Sequence, residues 1–230
     1  MFGYFDPMYF VFMIPGLVLS MWAAARTKGA FKKWSKVRAR MTGAQAARAM
    51  LDQAGLYDVK IGRAGGFLSD HYNPATKSLA LSPDVHDRPS IAAVGVACHE
   101  AGHALQHAQG YTPLKLRSAL VPAAGIGSNL SWIVIMAGMF LNQPGLLMIG
   151  VVLFSLTVVF QLVTLPVEFD ASARAKELVV NYGILAPNEV DGVRKVLNAA
   201  AWTYVAAAVT SVFTLLYYLM RLGLLGGRDD

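Results

Sequence analysis

The sequence has few cysteines and few charged residues, and each shortage excludes certain kinds of site or certain classes of protein. Cys98 is the single cysteine among 230 residues, so an internal disulfide and a metal site with two or four thiolates are both excluded. Charged residues make up only 15% of the chain and hydrophobic residues 55%, which is too apolar for an ordinary soluble domain. The sequence also contains no glycine-rich phosphate loop and no internal repeat. This composition indicates a membrane protein.

Four apolar stretches are long enough to cross a bilayer, since each has about 20 residues and can span ~30 Å of hydrocarbon. The predicted transmembrane helices cover residues 7–25, 118–141, 146–166 and 198–220. The interval between Arg117 and Glu168 contains no charged side chain. Asn142-Gln143-Pro144-Gly145 interrupts that interval with residues typical of a turn, so it holds two helices.

Basic residues directly after the first span set the orientation in the membrane. Seven lysines and arginines lie within residues 26–40, with no acid among them, and the positive-inside rule places such a run in the cytoplasm. The segments 26–117 and 167–197 are therefore predicted to be cytoplasmic, with both chain termini outside the inner membrane. Phe31 and Trp34 would give the basic run apolar contacts on the inner leaflet, unless it is simply a solvated helix.

The stretch that begins at Cys98 contains the pattern H-E-x-x-H. His99 and His103 are four residues apart, so on a helix both imidazoles project from one face, about one turn apart. That spacing allows two nitrogens to bind one Zn²⁺ at ~2.0–2.1 Å. Glu100 occupies the position of the general base that takes a proton from a zinc-bound water. The alternative is a buried helix whose histidines are satisfied by ordinary hydrogen bonds.

The residues before this pattern predict a small sheet that precedes the metal-binding helix. Polar and apolar residues alternate in two stretches within 57–82, with turn residues at Asn73-Pro74 between them. We expect an antiparallel sheet whose last strand, near 79–82, is an edge strand. Such an edge either pairs with an extended peptide or only supports the helix. Ser90 is a good N-cap for the helix, which should end at Gly110.

A catalytic zinc site needs a third protein ligand and one open position for water. Glu168 is the preferred third ligand, because two spans separate it from His103 and return the chain to the same side of the membrane. A carboxylate that only interacts with a helix dipole is the alternative for this residue. His107 lies roughly 80° around the helix from His99, and no glycine turns the chain between His103 and His107, so we do not expect it to be a ligand.

Other polar residues are candidates for supporting roles. Asp170 lies about 200° around a helix from Glu168 and cannot face the same way, but it could accept a hydrogen bond from a ligand histidine. His71 and Tyr72 are candidates for stabilising the oxyanion that a hydrolase generates. Arg174 could pair with a nearby acid or approach the substrate.

Three segments together resemble one known family: the H-E-x-x-H pattern, Asp70-His71-Tyr72-Asn73-Pro74, and Leu165-Pro166-Val167-Glu168-Phe169-Asp170-Ala171-Ser172. They look like the bacterial neutral zinc metallopeptidases (YugP-like membrane zinc peptidases), and the resemblance covers nearly the whole chain. That family is similar in outline to the membrane zinc endopeptidases of the heat-shock and prenyl-protein-processing type, whose Glu ligand belongs to an E-x-x-x-D motif. Here Ser172 stands in the fourth position after Glu168, and Asp170 is the candidate substitute for the missing Asp.

These observations predict a mainly α, polytopic membrane protein with four transmembrane helices and a small cytoplasmic α+β metallopeptidase domain of the zincin type. The predicted activity is that of a zinc-dependent endopeptidase at the cytoplasmic membrane face, which uses a Glu-activated zinc water. One Zn²⁺ per chain would be held by His99, His103 and Glu168. The expected partners are the lipid bilayer and protein or peptide substrates, membrane proteins among them. Nucleic acid is not expected, and homo-oligomerisation is left open.

Two other functions are compatible with parts of the sequence. An intramembrane zinc protease of the site-2 type pairs H-E-x-x-H with a distant Asp-Gly, and Asp191-Gly192 resembles that second motif. It lies, however, in a charged segment outside the predicted spans. A non-enzymatic membrane scaffold with structural zinc would need four protein ligands. His107 or Asp170 would have to be the fourth, and Glu100 would have no role.

Overall fold

The computed structural model describes residues 6–66 and 69–225. Helices dominate it, which confirms the prediction of a mainly α protein with a small sheet. The elements in chain order are α1 (Pro7–Trp34), α2 (Gly43–Gln53), β1 (Lys60–Arg63), β2 (His71–Asn73), β3 (Ser78–Leu81), α3 (Pro83–His86), α4 (Ile91–Ala108), α5 (Thr112–Phe140), α6 (Pro144–Asn181) and α7 (Val190–Arg221).

Four of these helices, α1, α5, α6 and α7, are long and apolar enough to cross a membrane. Their most apolar stretches have a mean hydropathy between 1.6 and 2.6. Large apolar side chains are exposed along them, for example Leu17, Ile133 and Val152, and such side chains are stable facing lipid rather than water. The protein is therefore a membrane protein. The span limits given above remain predictions.

Contacts between residues divide the chain into two compact units. The first unit comprises Met1–Trp22, Leu116–Leu165 and Thr203–Asp230, and the second comprises Ala23–Lys115 and Pro166–Trp202. The first unit therefore contains the most apolar parts of the four long helices. The second contains the sheet, the short helices and the H-E-x-x-H segment, together with the more polar parts of the same long helices.

Glycines allow close helix packing within the first unit. A Cβ atom at Gly138 would lie 2.5 Å from the backbone nitrogen of Leu147, and one at Gly150 would lie 2.8 Å from the backbone nitrogen of Ile135. Because lipid tails offer no hydrophobic drive between helices, such small-residue contacts are the usual way that membrane helices associate.

The second unit has a hydrophobic core of the kind found in soluble domains. α2 is fixed at its start by a capping box, in which Thr42 and Gln45 satisfy each other's backbone N–H groups. Its buried face contributes Met50 and Leu51 to the core. Phe31 is 5% exposed and also belongs to this core. The expectation that Phe31 lies on the inner leaflet is therefore wrong.

The sheet differs from the prediction in its strand order. It has the order β1-β3-β2, so β3 is the central strand and not an edge. β3 pairs parallel with β1 and antiparallel with β2, which makes the sheet mixed rather than antiparallel. The described edges are β1 and β2. A central β3 has both of its backbone sides paired, so it cannot accept an added peptide strand.

The helix α4 begins and ends where the sequence predicts. The Ser90 side chain accepts a hydrogen bond from the backbone N–H of Ala93 at 3.2 Å, and Gly110 adopts a φ of +66° just beyond the helix end. Most of α4 is buried, including Cys98, whose side chain is 0% exposed. Burial raises the pKa of the Cys98 thiol well above its usual value. The polar side chains of this buried helix need hydrogen-bond partners within the protein.

Candidate metal centre

The two histidines of the H-E-x-x-H pattern lie on one buried face of α4. His99 is 8% exposed and His103 is 7% exposed. Their ring centroids are 4.8 Å apart, and the ring planes cross at 81°. The one-turn spacing along α4 therefore directs both imidazoles toward a common point, as the sequence predicts.

Glu168 on α6 meets both imidazoles at that point. Its Oε2 atom lies 3.1 Å from His99 Nε2 and 3.5 Å from His103 Nε2. All three side chains are buried, and one donor atom from each lies within 4.8 Å of the others. Within residues 6–66 and 69–225, this is the one group of three or more His, Cys, Asp or Glu side chains that could hold a metal ion.

The donor distances fit zinc. In a tetrahedral site with bonds of 2.0–2.1 Å, neighbouring donor atoms are about 3.3 Å apart. The two separations from Glu168 Oε2 to the imidazole nitrogens, 3.1 and 3.5 Å, bracket that value. Two imidazoles and one carboxylate are also the donor types of many catalytic zinc sites, where the fourth position is left for water. The residues present therefore suit a zinc ion with one open position.

Gly102 permits α4 and α6 to approach closely enough for this meeting. A Cβ atom at Gly102 would lie 2.8 Å from the carbonyl oxygen of Ala171 and 3.3 Å from its Cα. Any larger side chain would push the backbone of α6 away. Since α6 runs through Pro166 without interruption, displacing Ala171 would also displace Glu168.

Ser172 supports His99 from the side opposite the metal-facing nitrogen. Its Oγ lies 3.1 Å from His99 Nδ1, and it is 5% exposed. Ser172 follows Glu168 by four residues, so the two side chains project from the same face of α6 one turn apart. Ser172 departs from the E-x-x-x-D motif at this position, but its hydroxyl still contacts a histidine of the candidate metal centre.

Gln106 supports His103 in a similar but more constrained way. It is 0% exposed, and its Oε1 lies 3.0 Å from His103 Nδ1. Its Nε2 donates to the carbonyl oxygen of Val167 at 2.8 Å and to Asp170 Oδ2 at 2.7 Å. Because both N–H groups are used by acceptors, Oε1 must accept from His103. This hydrogen bond keeps a proton on Nδ1, so Nε2 is the nitrogen of His103 that can bind a metal.

Asp170 reaches the centre only through Gln106. Besides Gln106, it accepts a hydrogen bond from Arg174 Nε at 2.5 Å, and Arg174 also donates to Gln109. Asp170 thus fixes the amide that holds His103, instead of accepting directly from a ligand histidine. Sequence analysis missed Gln106, although its position three residues after His103 places it on the same helix face.

Electrostatics within the cluster favour an ionised carboxylate. Burial acts to raise the pKa of Glu168, but hydrogen bonds from His103 and His99 outweigh it and hold that pKa well below its usual value. Burial acts to lower the pKa of His103, yet the hydrogen bond to Glu168 and the charge of Glu100 raise it overall. Glu168 is therefore an ionised carboxylate beside two imidazoles, and an anionic oxygen is a donor that a metal cation prefers.

Glu100 lies beside the cluster but is not engaged by it. It is 8% exposed, and no other described residue forms a hydrogen bond with its carboxylate. Its charge nevertheless contributes to the raised pKa of His103, which means that the carboxylate is close to that imidazole. A buried, unshared carboxylate next to a metal centre is able to accept a proton.

The remaining candidates lie away from these three donors. His107 Nδ1 is 2.9 Å from the hydroxyl of Tyr72, so it joins α4 to β2. His71 is exposed, and its Nδ1 lies 2.9 Å from the carbonyl oxygen of Ser69. Asp191 forms an ion pair with Lys195 at 2.6 Å at the start of α7. Supporting roles for His71 and Tyr72 in catalysis remain predictions.

Comparison with known proteins gives two matches. A family described as "Putative neutral zinc metallopeptidase" matches residues 9–223. The "Putative membrane protease YugP" of Bacillus subtilis (strain 168) is 47% identical over 226 residues, which cover 97% of this chain and 100% of that protein. No solved structure matches the chain.

Proposed function

The chain belongs to the neutral zinc metallopeptidase family, and from this premise we propose that it is a zinc-dependent endopeptidase of the cytoplasmic membrane face. The observation that carries the proposal is the buried group of His99, His103 and Glu168, with Glu100 beside it. Three protein donors and a neighbouring free carboxylate are the parts that a hydrolytic zinc site requires. A structural site would instead be closed by a fourth protein ligand.

Zinc bound by these donors would lower the pKa of a coordinated water to ~7 and polarise the carbonyl of the scissile peptide. Glu100 is placed to act as the general base, and it would accept one proton from the water as the water oxygen attacks that carbonyl carbon. Glu100 then delivers the proton to the nitrogen of the leaving amine as the C–N bond breaks. The balance is one water consumed, with one carboxylic acid and one amine produced, which at neutral pH become the carboxylate and ammonium ions.

Two supporting residues fix the ligand histidines for this task. The Ser172 hydroxyl orients His99, and the Gln106 amide orients His103. Holding each Nδ1 keeps the ring from rotating, so both Nε2 atoms stay directed at Glu168. Preorganisation of this kind avoids rearranging the donors when a metal or substrate arrives.

The site's side of the membrane follows from charge. No predicted span separates the basic run at 26–40 from His103, and two predicted spans lie between His103 and Glu168. Under the positive-inside rule, both ligand-bearing segments would therefore lie in the cytoplasm. Both chain termini would lie outside. A site this close to apolar helices favours membrane proteins, or segments near the membrane, as substrates.

Replacing Glu100 tests the chemistry separately from the metal. The Glu100→Gln protein, purified in detergent, should hydrolyse a fluorescently labelled unfolded protein at least about 100-fold more slowly than the wild type. Its zinc content should be unchanged, because the substituted side chain is not a ligand. Full activity in Glu100→Gln would show that another group takes the proton.

Replacing Glu168 tests the metal itself. Wild-type protein purified without added metal should contain one zinc per chain, and Glu168→Ala should lose most of it. Equal zinc content in both proteins would remove Glu168 from the ligand set. Wild type that takes up no zinc, even after reconstitution, would contradict the metallopeptidase proposal as a whole.

A further inference from the structure

An open groove in the second unit is rich in cationic side chains. It consists of two adjoining cavities of about 320 and 520 Å³ that meet at Asn198, between α1, α6 and α7. Five cationic side chains and a single carboxylate line it: Arg26, Lys33, Lys176, Arg194, Lys195 and Glu177. We call this the basic groove. It shares no lining residue with the candidate metal centre.

Two lysines of the basic groove lie beside one aromatic ring. Lys33 Nζ and Lys195 Nζ lie 5.7 and 5.6 Å from the centroid of the same Trp34 ring. The exposed Asp191 pairs with Lys195, but the partner of Lys176 is the uncharged amide of Asn198, at 3.2 Å. Repulsion between neighbouring cations costs free energy, which a bound anion would recover.

The pKa of Lys176 is consistent with its position among other cations. Burial lowers its pKa, and the charge of Arg194 lowers it further. An anion bound near Lys176 would raise the pKa of this lysine back toward its usual value. The cavity volumes are large enough for a phosphate group with a small organic substituent.

The position of the basic groove along the chain points to a lipid. Arg26 directly follows the first predicted span, and Asn198 begins the fourth. With the spans predicted from the sequence, the end of the groove near Arg26 and Asn198 would lie at the depth of lipid headgroups. Basic pockets between membrane helices on the cytoplasmic side are typical sites for anionic headgroups.

We propose that the basic groove binds the phosphate-bearing headgroup of an anionic phospholipid, with Lys33, Lys195 and Lys176 as the main contacts. This site is separate from the peptidase centre and does not depend on peptidase activity. The bound lipid would anchor the α1 and α7 segments of the second unit to the inner leaflet. This specific contact would add to the general attraction between basic residues and the membrane surface.

The test is a titration of the full-length protein, purified in a non-ionic detergent, with dioctanoyl phosphatidylglycerol. The thermal midpoint should rise with lipid, and dioctanoyl phosphatidylcholine should have no such effect. In Lys33→Gln/Lys195→Gln, the half-saturating concentration should increase about thirty-fold, since each surface cation contributes roughly five-fold. Lys176→Gln, a single change in the other cavity, should increase it about five-fold and serves if the double variant folds poorly.

Lys28→Gln/Lys32→Gln is the matched control, because both lysines are exposed on α1 and do not line the groove. It should shift the half-saturating concentration less than two-fold. Equal weakening by the control and the groove variant would mean diffuse surface attraction and would overturn the proposal. Equal stabilisation by phosphatidylcholine would also overturn it. Equal stabilisation by inorganic phosphate would indicate a free-anion site and exclude the lipid.

Discussion

The two sides of α4 differ in their interactions: one is packed by apolar contacts, and the other carries hydrogen-bonded polar side chains. The side that faces α2 is packed by small and apolar residues, with Gly43 against the carbonyl oxygen of Ala93 and the Cβ of Ala97. The side that faces α6 carries the histidines, Gln106 and their hydrogen bonds. One side therefore carries core packing, and the other carries the candidate metal centre. Changes on the two sides should have effects that separate cleanly.

The largest expected effect on stability comes from the α2 side. A Cβ at Gly43 would lie 2.2 Å from the carbonyl oxygen of Val85 and 2.8 Å from that of Ala93, and neither backbone atom can move easily. Gly43→Ala should cost about 3 kcal/mol and lower the thermal midpoint of the zinc-free protein. Gly62→Ala is the control, because a Cβ there meets no atom within 4 Å. Equal midpoints for the two variants would contradict this packing.

The largest expected effect on metal binding comes from Gln106. Gln106→Met keeps the side chain's size but removes the acceptor for His103 Nδ1 and the donors to Val167 and Asp170. Zinc affinity, measured by competition with a chelator, should fall about 10–100-fold. Gln109→Met, on the same helix end, should change it less than two-fold. If Gln106→Met binds zinc like the wild type, the amide does not position His103.

Ser172→Ala should have a smaller effect of the same kind. It removes one hydroxyl contact to His99 and leaves no other described polar group without its partner. We expect zinc affinity to fall less than about ten-fold, measured in the same competition assay. A greater loss of zinc affinity in Ser172→Ala than in Gln106→Met would contradict this ranking. It would show that zinc binding depends more on the hydrogen bond to His99 than on the one to His103.

The smallest expected effect is that of Asp191→Ala. This carboxylate is exposed and pairs with Lys195 one turn along α7, a type of ion pair worth ~0.3–0.5 kcal/mol. Zinc content should stay at the wild-type level and the thermal midpoint should hardly change. Loss of zinc in this variant would support the arrangement in which Asp191-Gly192 provides a ligand, as in site-2-type proteases.

The sequence predicted the convergence of the donors well, for physical reasons. The His99–His103 spacing determines a shared helix face, and a chain that crosses the membrane twice must return to the side it left. The identity of Ser172 as a support was obscured because the related motif has an aspartate there. A hydroxyl one turn after Glu168 can reach the same ring nitrogen, so position mattered more than residue type.

Other features could not be predicted, since they depend on which elements become neighbours. Alternating residues predicted β3, but period-two patterns do not specify the adjacent strands, and its central place depends on the parallel partner β1. Phe31 and Trp34 follow a membrane span and are rich in apolar surface, which suggested lipid contact. In the structure a Cβ at Gly192 would lie 2.5 Å from the Trp34 ring, so the indole packs on protein.

The burial of Cys98 also allows the opening of α4 to be measured by thiol labelling of the unmodified protein. The thiol sits one residue before His99 in a helix that is closed to solvent, so a maleimide reagent can react only when α4 opens. Because the chain has no other cysteine, the labelling rate of the unmodified protein measures the opening of this helix directly. Zinc held by His99, His103 and Glu168 would bind only the closed arrangement of these donors, so added zinc should slow labelling as the site fills.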